Sequence, residues 1–140
     1  MIRHKTLHLA SEVDQLGRTK LHYAANNGIL RIVKNLLDEG IDIDAQDEIG
    51  FSALHFAAQN NHFKTIELLL EYNANPNLHD KQGNGPLWTA AMNANGRIEG
   101  VELLLKAGAK PNHTNTHGRS PKYIAKTLNH GLNEAFLPYL

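Results

Sequence analysis

Short apolar groups separated by small and polar residues form a block that recurs along the chain every 33 residues. Residues 17–25 align with residues 50–58 and with residues 83–91, each beginning with Gly and ending with Ala-Ala. A degenerate fourth copy begins at Gly118 and ends before its second half is complete. Self-similarity at such a period is typical of repeat architectures. The pattern therefore predicts three full copies and one incomplete copy of a single structural unit.

The first half of each copy predicts a helix. Thr19, Ser52 and Ser120 stand at its start, where a hydroxyl can accept from the free N–H groups of the first turn. Pro86 and Pro121 stand at the first helical position, where no N–H is needed. The paired alanines favour a helix and let a neighbouring helix approach closely. A residue suited to a left-handed helix stop follows at one aligned position: Gly28, Asn61 and Gly96.

The second half of each copy predicts a second helix. In the first copy Ile32, Val33, Leu36 and Leu37 form an apolar stripe that would bury one side of this helix. Gly40, Asn73 and Gly108 then provide left-handed stops. Residues 41–49 and 74–82 are polar, which predicts projecting turns or short hairpins. One helix pair cannot bury its apolar side alone, so adjacent copies must stack around a shared core.

These motifs resemble the ankyrin repeat family. The closest matches to its signature are residues 19–22 and 52–55, the Gly108-Ala109 pair, Asn77 and Asn112. The resemblance implies an all-α fold of helix-turn-helix-hairpin repeats stacked as a short solenoid over residues 14–140, with copies at about 14–46, 47–79, 80–114 and 115–140. Lys122 and Lys126 replace apolar family positions in the last copy, which predicts a C-terminal cap. Residues 1–13 are interpreted as an N-terminal cap helix or a tail.

Charge and composition narrow the function classes. Fourteen Lys and Arg balance fourteen Asp and Glu, so the basic excess of a nucleic-acid binder is missing. Without cysteine there is no disulfide, thiolate metal site or cysteine nucleophile. No apolar run approaches the ~20 residues of a membrane-spanning helix, and no signal-peptide core is recognisable. We therefore expect a cytoplasmic protein with no nucleic-acid or membrane partner.

The nine histidines are the candidates for catalysis or metal binding. His22 and His55 lie one repeat apart, so we interpret them as structural imidazoles that bond backbone groups in each copy. His4 and His8, or His113 and His117 beside His79, have spacings that a metal site could use, although no carboxylate accompanies them at ligand spacing. No nucleophile with a His-carboxylate pair is recognisable. We expect no enzyme, no cofactor and no metal.

The remaining chemistry lies on the surface that a stack leaves open, formed by hairpin tips and the exposed side of the first helices. The predicted contact residues at the tips are Gln15, Leu16, Arg18, Glu48, Ile49, Phe51, Lys81, Gln82 and Asn84. Those on the first helices are Asn26, Asn27, Gln59, Asn60, Met92 and Asn93. Among apolar residues, Phe51 and Tyr72 favour contact. Leu16 and Ile49 either contact a partner or pad the tips. Trp88 either anchors a partner or, as we prefer, fills a gap beside a two-residue insertion within residues 92–95.

The first hairpin is acidic. Six acids surround it with no base between them: Asp38, Glu39, Asp42, Asp44, Asp47 and Glu48. Such a run is commonly a solvated face. Alternatively, Asp42, Asp44 and Glu48 attract a basic partner and raise the association rate.

The favoured hypothesis is a monomeric, non-catalytic module for protein–protein interaction. By resemblance, short stand-alone ankyrin proteins include antidote or immunity proteins that block a toxin, so we expect a small inhibitor. One rival is a general adaptor or regulatory subunit with more than one partner. The other is a histidine-dependent metal protein or enzyme.

Overall fold

The computed structural model describes residues 12–140 as a series of helix pairs. The helices are α1 (Lys20–Asn27), α2 (Leu30–Asp38), α3 (Ala53–Gln59), α4 (Phe63–Glu71), α5 (Pro86–Met92), α6 (Glu99–Lys106), α7 (Pro121–Leu128) and α8 (Leu132–Phe136). A 3₁₀ turn, Leu137–Tyr139, follows α8. No β-strand occurs in the described residues, and the all-α prediction is confirmed.

The helix pairs stack through a shared core. Helices α1, α3, α5 and α7 pack in one row, and α2, α4, α6 and α8 pack in a second row beside it. The buried side chains of both rows belong to one continuous apolar cluster, which includes Leu21, Leu54, Val33 and Ile66. Each pair therefore completes its core with its neighbours, as the repeat pattern predicts.

The predicted hydroxyl caps at the helix starts and all but one of the predicted left-handed helix stops are confirmed. The hydroxyl of Thr19 accepts from the backbone N–H groups of Leu21 and His22, and those of Ser52 and Ser120 cap α3 and α7 in the same way. Glycine or asparagine with positive φ ends five of the helices at the predicted positions: Gly28, Gly40, Asn61, Asn73 and Gly108. The stop predicted at Gly96 is wrong, because α5 already ends at Met92 and the inserted residues separate it from Gly96.

An Asp or Asn side chain holds each turn that projects between copies. Asp47 Oδ1 accepts from the N–H groups of Ile49 and Phe51, at 3.1 and 2.8 Å. The same two-bond pattern recurs at Asp14, Asp80 and Asn115. We call these four turns the tips, at residues 14–18, 47–51, 80–84 and 115–119. The tips form turns rather than strands because the side-chain acceptor takes the N–H groups that a strand would pair.

Consecutive tips are joined by one backbone hydrogen bond each. The carbonyls of Leu16, Ile49 and Gln82 accept from the N–H groups of Glu48, Lys81 and Thr116, at 2.9, 3.0 and 2.9 Å. The tips therefore form a continuous row along the stack.

One predicted core position is wrong. Ile32 of the apolar stripe is 38% exposed, whereas its aligned counterpart Thr65 is buried. A Cβ on Gly100, the counterpart in the third copy, would lie 3.0 Å from Ile66 of the second copy. This position therefore faces back toward the preceding copy, and the described residues contain no helix ahead of α1 to cover Ile32.

The predicted N-terminal cap or tail falls mostly outside the described residues. Only Glu12 and Val13 belong to both, and both are exposed without regular structure. The helix pairs fall within the four predicted copies, whose boundaries remain predictions. The longest helices in residues 12–140 have nine residues, whereas about 20 are needed to span a bilayer.

Candidate partner-binding surface

Two buried histidines tie the tips to the helices behind them. The Nδ1 atom of His22 accepts from the Thr19 N–H at 2.9 Å, so Nε2 carries the proton and donates to the Phe51 carbonyl of the next copy at 2.9 Å. His55 repeats this arrangement with Ser52 and Asn84, at 3.1 and 2.9 Å. The prediction of structural imidazoles is confirmed.

Burial sets the protonation state of both rings. Loss of solvation lowers the pKa of His22 and of His55, although carbonyl acceptors and nearby carboxylates oppose the shift. The neutral ring is also the form that can accept at Nδ1 and donate at Nε2. Both histidines are therefore fixed structural links, and neither is available as a proton carrier.

A hollow of about 500 Å³ opens between the second and third copies. Its walls come from two neighbouring tips and from the ends of α3 and α5. We call it the tip groove, and its lining residues are Ile49, Phe51, Gln59, Asp80, Lys81, Gln82, Asn84, Trp88, Thr89, Met92 and Asn93. Ile49 is 51% exposed and Met92 is also exposed, so apolar surface faces solvent at two points of the rim.

Aromatic packing fixes the floor of the tip groove. The Phe51 ring stacks on His55 with ring centroids 4.8 Å apart and meets Phe56 edge-on at 5.1 Å. Trp88 is half-buried and lines both this groove and a smaller cleft against the fourth copy. A rigid aromatic floor with an exposed apolar rim is a surface that can bury a partner's side chains at low entropic cost.

Comparison with protein-family models gives a match to ankyrin repeats in three copies, over residues 21–115. The chain belongs to the ankyrin repeat family. Ankyrin repeats are modules of protein–protein interaction, and this coarse function is therefore established for the chain. No curated protein matches the sequence.

Several predicted contact residues come together in the tip groove between the second and third ankyrin repeats. They are Ile49, Phe51, Gln59, Lys81, Gln82, Asn84, Trp88, Met92 and Asn93. Leu16 is exposed on the preceding tip, beside Glu48, whose N–H bonds the Leu16 carbonyl. Leu16 and Ile49 are exposed and Phe51 is partly exposed, and the role of all three in binding stays a prediction.

Asn84 is placed differently from its prediction as an exposed tip residue. It is 7% exposed, and its Oδ1 accepts from Asn115 Nδ2 at 3.0 Å. Its carbonyl is the acceptor for His55. The prediction of an exposed side chain is wrong because the tip of the fourth ankyrin repeat covers Asn84.

Arg18 is engaged within the protein. Its Nε atom lies 3.2 Å from Asp47 Oδ2, in an ion pair whose carboxylate is almost completely buried. Its guanidinium carbon also lies 5.0 Å from the centroid of the Phe56 ring. Arg18 therefore links the first two ankyrin repeats, and it does not line the tip groove.

Of the predicted residues at the ends of α1 and α3, Asn26 and Asn60 are engaged in hydrogen bonds within the protein. Asn60 Nδ2 donates to Asn26 Oδ1 at 2.8 Å and to the Phe56 carbonyl at 3.0 Å. These two asparagines thus pair across α1 and α3. Gln59, in contrast, is exposed and lines the tip groove.

Three of the six acids in the predicted run, Asp38, Asp44 and Asp47, bond to other residues of the protein. Asp38 accepts from Tyr72 Oη at 2.7 Å and pairs with Lys34 at 3.0 Å, and these contacts lower the Asp38 pKa. Asp44 Oδ1 accepts from the Asn75 N–H at 2.9 Å. Tyr72 therefore joins second helices rather than lining the tip groove.

The other three acids remain exposed. Glu39, Asp42 and Glu48 are exposed, and no ion pair joins them to a base within residues 12–140, whereas Asp38 is exposed but pairs with Lys34, and Asp47 is buried against Arg18. Asp42 accepts from the Asp44 N–H at 3.0 Å and still faces solvent. Only Glu48 lies on a tip, next to Ile49 of the groove.

The candidate metal ligands do not assemble in the described residues. No group of three or more His, Asp or Glu side chains in residues 12–140 lies close enough to hold a metal ion. The ring centroids of His79 and His113 lie 3.7 Å apart in a stack between the second and third predicted copies. His4 and His8 lie outside the described residues.

Sequence reasoning missed two lining residues of the tip groove, Asp80 and Thr89. Asp80 stands in phase with Asp14 and Asp47, three residues before the positive-φ glycine of each tip, and this recurrence could have identified it. Thr89 aligns with the aromatic residues Tyr23 and Phe56, so the repeat pattern gives no indication that a residue at this position lines a groove.

Proposed function

We propose that the chain is a non-catalytic inhibitor that binds one partner protein in the tip groove and blocks it by occupancy. The observation that carries the proposal is the coincidence of exposed Ile49 and Met92 with half-buried Trp88 around one hollow of about 500 Å³. Large apolar anchors clustered in a concave site are typical of interface hot spots.

The polar residues of the groove support a protein ligand rather than a substrate. Asp80 Oδ1 accepts from two backbone N–H groups of its own tip. Asn84 is buried, and its Oδ1 accepts from Asn115 Nδ2. Lys81, Gln59 and Gln82 remain exposed at the rim, where they can orient a bound chain. Apolar anchors with a polar rim are the usual anatomy of a protein interface.

We also propose that the partner is basic, although the acidic surface that would attract it is smaller than the six-residue run. Glu48 adjoins the groove, and Asp42 and Glu39 are exposed on the loop and helix end of the preceding predicted copy. Exposed carboxylates of this kind mainly increase the association rate with a basic protein. Reversal of Glu48 and Asp42 should therefore slow association at low salt and leave the dissociation rate nearly unchanged.

The proposal is tested by comparative affinity capture. The full chain, an Ile49→Asp/Met92→Asp variant and a Leu137→Asp/Leu140→Asp control are immobilised, and captured proteins are compared by quantitative mass spectrometry. All four side chains are exposed, so circular dichroism should show both variants folded. A protein captured by the native chain and the control, and lost by the groove variant, supports the tip groove; equal capture by all three contradicts it.

Inhibition is then separated from adaptor function with the purified partner. Loss of the partner's activity at one equivalent of the chain, with nanomolar affinity, supports an inhibitor. Binding that leaves the activity intact, or micromolar binding to several proteins, overturns the inhibitor and favours the adaptor.

A further inference from the structure

A second exposed apolar surface lies on the turns between the two helices of each repeat. Phe63 is 45% exposed, and Leu30 and Ile29 are also exposed. Leu30 and Phe63 stand at one aligned position, the first residue of α2 and of α4. Neither residue was identified from the sequence, because an apolar residue at a helix start fits the buried stripe equally well.

Three hollows join along this surface. One of about 470 Å³ and one of about 270 Å³ share Leu30 and Lys64, and the second shares Phe63 and Asn61 with a third of about 250 Å³. We call the series the outer groove. Its residues come from α2, α4, α6 and their preceding turns, and it shares none with the tip groove.

The turn edge of the outer groove is basic. Arg31 and Lys64 each occupy the second position of a helix, and Arg97 stands just before α6. Within residues 12–140, the structure gives none of these three cations an ion pair. They therefore remain available to carboxylates from outside the chain.

The placement of Arg31 and Lys64 does not serve the fold. Helix N-termini favour acidic side chains, yet the first turns of α2 and α4 contain none, and neither helix has a side-chain cap. In α6 the first turn carries Glu99 and Glu102, as the helix dipole prefers. Local choices that oppose stability concentrate at functional sites.

We propose that the outer groove docks an acidic, amphipathic segment of a partner protein. Its apolar side chains would cover Leu30 and Phe63, and its carboxylates would pair with Arg31, Lys64 and Arg97. Glu67 and Glu71 line the far wall of the largest hollow, so the acidic residues of the segment must face the turn edge. This surface is independent of the tip groove and gives the protein a second contact.

The mixed charge of the groove favours a protein segment over a polyanion. Glu67, Glu71 and Glu99 line the same hollows as the bases. A phosphate backbone or an anionic bilayer would meet these carboxylates as well as the bases, whereas a protein segment can match both signs. The exposed Phe63 also offers apolar area that a nucleic-acid backbone does not use.

The test uses a displayed library of 16-residue helical peptides with fixed apolar positions at helical spacing and flanking positions that sample Glu, Lys and Ser. Selection against the full chain should enrich Glu. The enriched peptides should bind an Arg31→Glu/Lys64→Glu variant at least about tenfold more weakly. They should bind a Lys106→Glu/Lys110→Glu control, whose bases are exposed outside the groove, as well as the native chain.

Several outcomes overturn the docking proposal without touching the tip groove. These are selection of no binders, enrichment without preference for Glu, or binding that is lost in Ile49→Asp/Met92→Asp instead of Arg31→Glu/Lys64→Glu. A Phe63→Ser variant should weaken the same peptides while it remains folded by circular dichroism. Binding to phosphatidylserine vesicles that is lost in Arg31→Glu/Lys64→Glu would assign the surface to a membrane and contradict the proposal.

Discussion

At the scale of single residues, His55 stabilises the fold by two hydrogen bonds to backbone groups of two neighbouring repeats. It is completely buried, accepts from the Ser52 N–H and donates to the Asn84 carbonyl. His55→Ala leaves both backbone groups without their partner, and an unsatisfied buried group costs ~1–3 kcal/mol. We expect the free energy of unfolding in urea to fall by ~2–4 kcal/mol. The exposed His117→Ala should change it by less than ~0.5 kcal/mol, and equal effects would contradict this role.

The same histidines predict how stability depends on pH. Burial lowers the pKa of His22, His55 and His79 in the folded chain below the ordinary value of 6.5. The unfolded chain then binds more protons, so the stability that the neutral rings contribute is complete above about pH 6.5 and is lost as the pH falls toward the folded-state pKa values.

Urea unfolding between pH 7.5 and 5 should therefore show a falling free energy of unfolding. His55→Gln should lower the stability at pH 7.5 and flatten its dependence on pH, because one shifted group has been removed. His130→Gln, at an exposed site, should leave the slope unchanged. A native slope of zero over this range would show that the rings do not behave as buried neutral groups.

At the scale of structural elements, two glycines with positive φ differ in their surroundings: Gly50 lies on a tip, and Gly40 follows α2. Gly50 has φ +89°, and a Cβ there would lie 2.7 Å from Asp80 Cα on the next tip. Gly40 has φ +88° and nothing within 4 Å of the same added atom. Substitution of either glycine by Ala lowers the free energy of unfolding by ~1 kcal/mol, because Ala is strained in left-handed backbone.

Gly50→Ala must also displace a neighbouring backbone. We expect Gly40→Ala to lower the free energy of unfolding by ~1 kcal/mol and Gly50→Ala to lower it by ~3 kcal/mol. Thermal and urea unfolding of the two variants measure the difference. Similar losses would mean that the tips are not held in close contact.

Features formed within one element could be predicted from the sequence, whereas contacts between elements could not. Caps and left-handed stops such as Thr19 and Asn61 were predictable, because their bonds are local and recur in phase. The Arg18–Asp47 pair and the burial of Asn84 depend on which atoms of the next tip come close, and the repeat period alone does not fix that. Ile32 is exposed because, within residues 12–140, no helix precedes α1 in the stack to cover it.

At the scale of the whole molecule, the three interfaces between repeats are unequal. His22 and His55 tie the first three repeats together through Phe51 and Asn84 carbonyls. In the third repeat Trp88 replaces the histidine and Gly85 replaces the hydroxyl cap, so this side-chain tie to the fourth repeat does not form. The side-chain hydrogen bond from Asn115 Nδ2 to Asn84 Oδ1, at 3.0 Å, crosses this interface instead.

The last interface should therefore open first. In arrays of repeats, stability is approximately a sum of repeat and interface contributions, so the weakest interface sets the first unfolding event. Amide hydrogen exchange should show lower protection in α7 and α8 than in α3 and α5. Uniform protection along the stack would contradict this ordering.

Restoring the missing link tests whether its absence serves function. In a Gly85→Ser/Trp88→His variant, the new imidazole would be positioned to donate to the Arg119 carbonyl, which aligns with the carbonyls of Phe51 and Asn84. Protection of α7 should rise. Because Trp88 also lines the tip groove, partner capture should fall in the same variant. Higher protection with undiminished capture would show that Trp88 only packs; lower capture would show that the chain sacrifices stability in its last repeat for a binding residue.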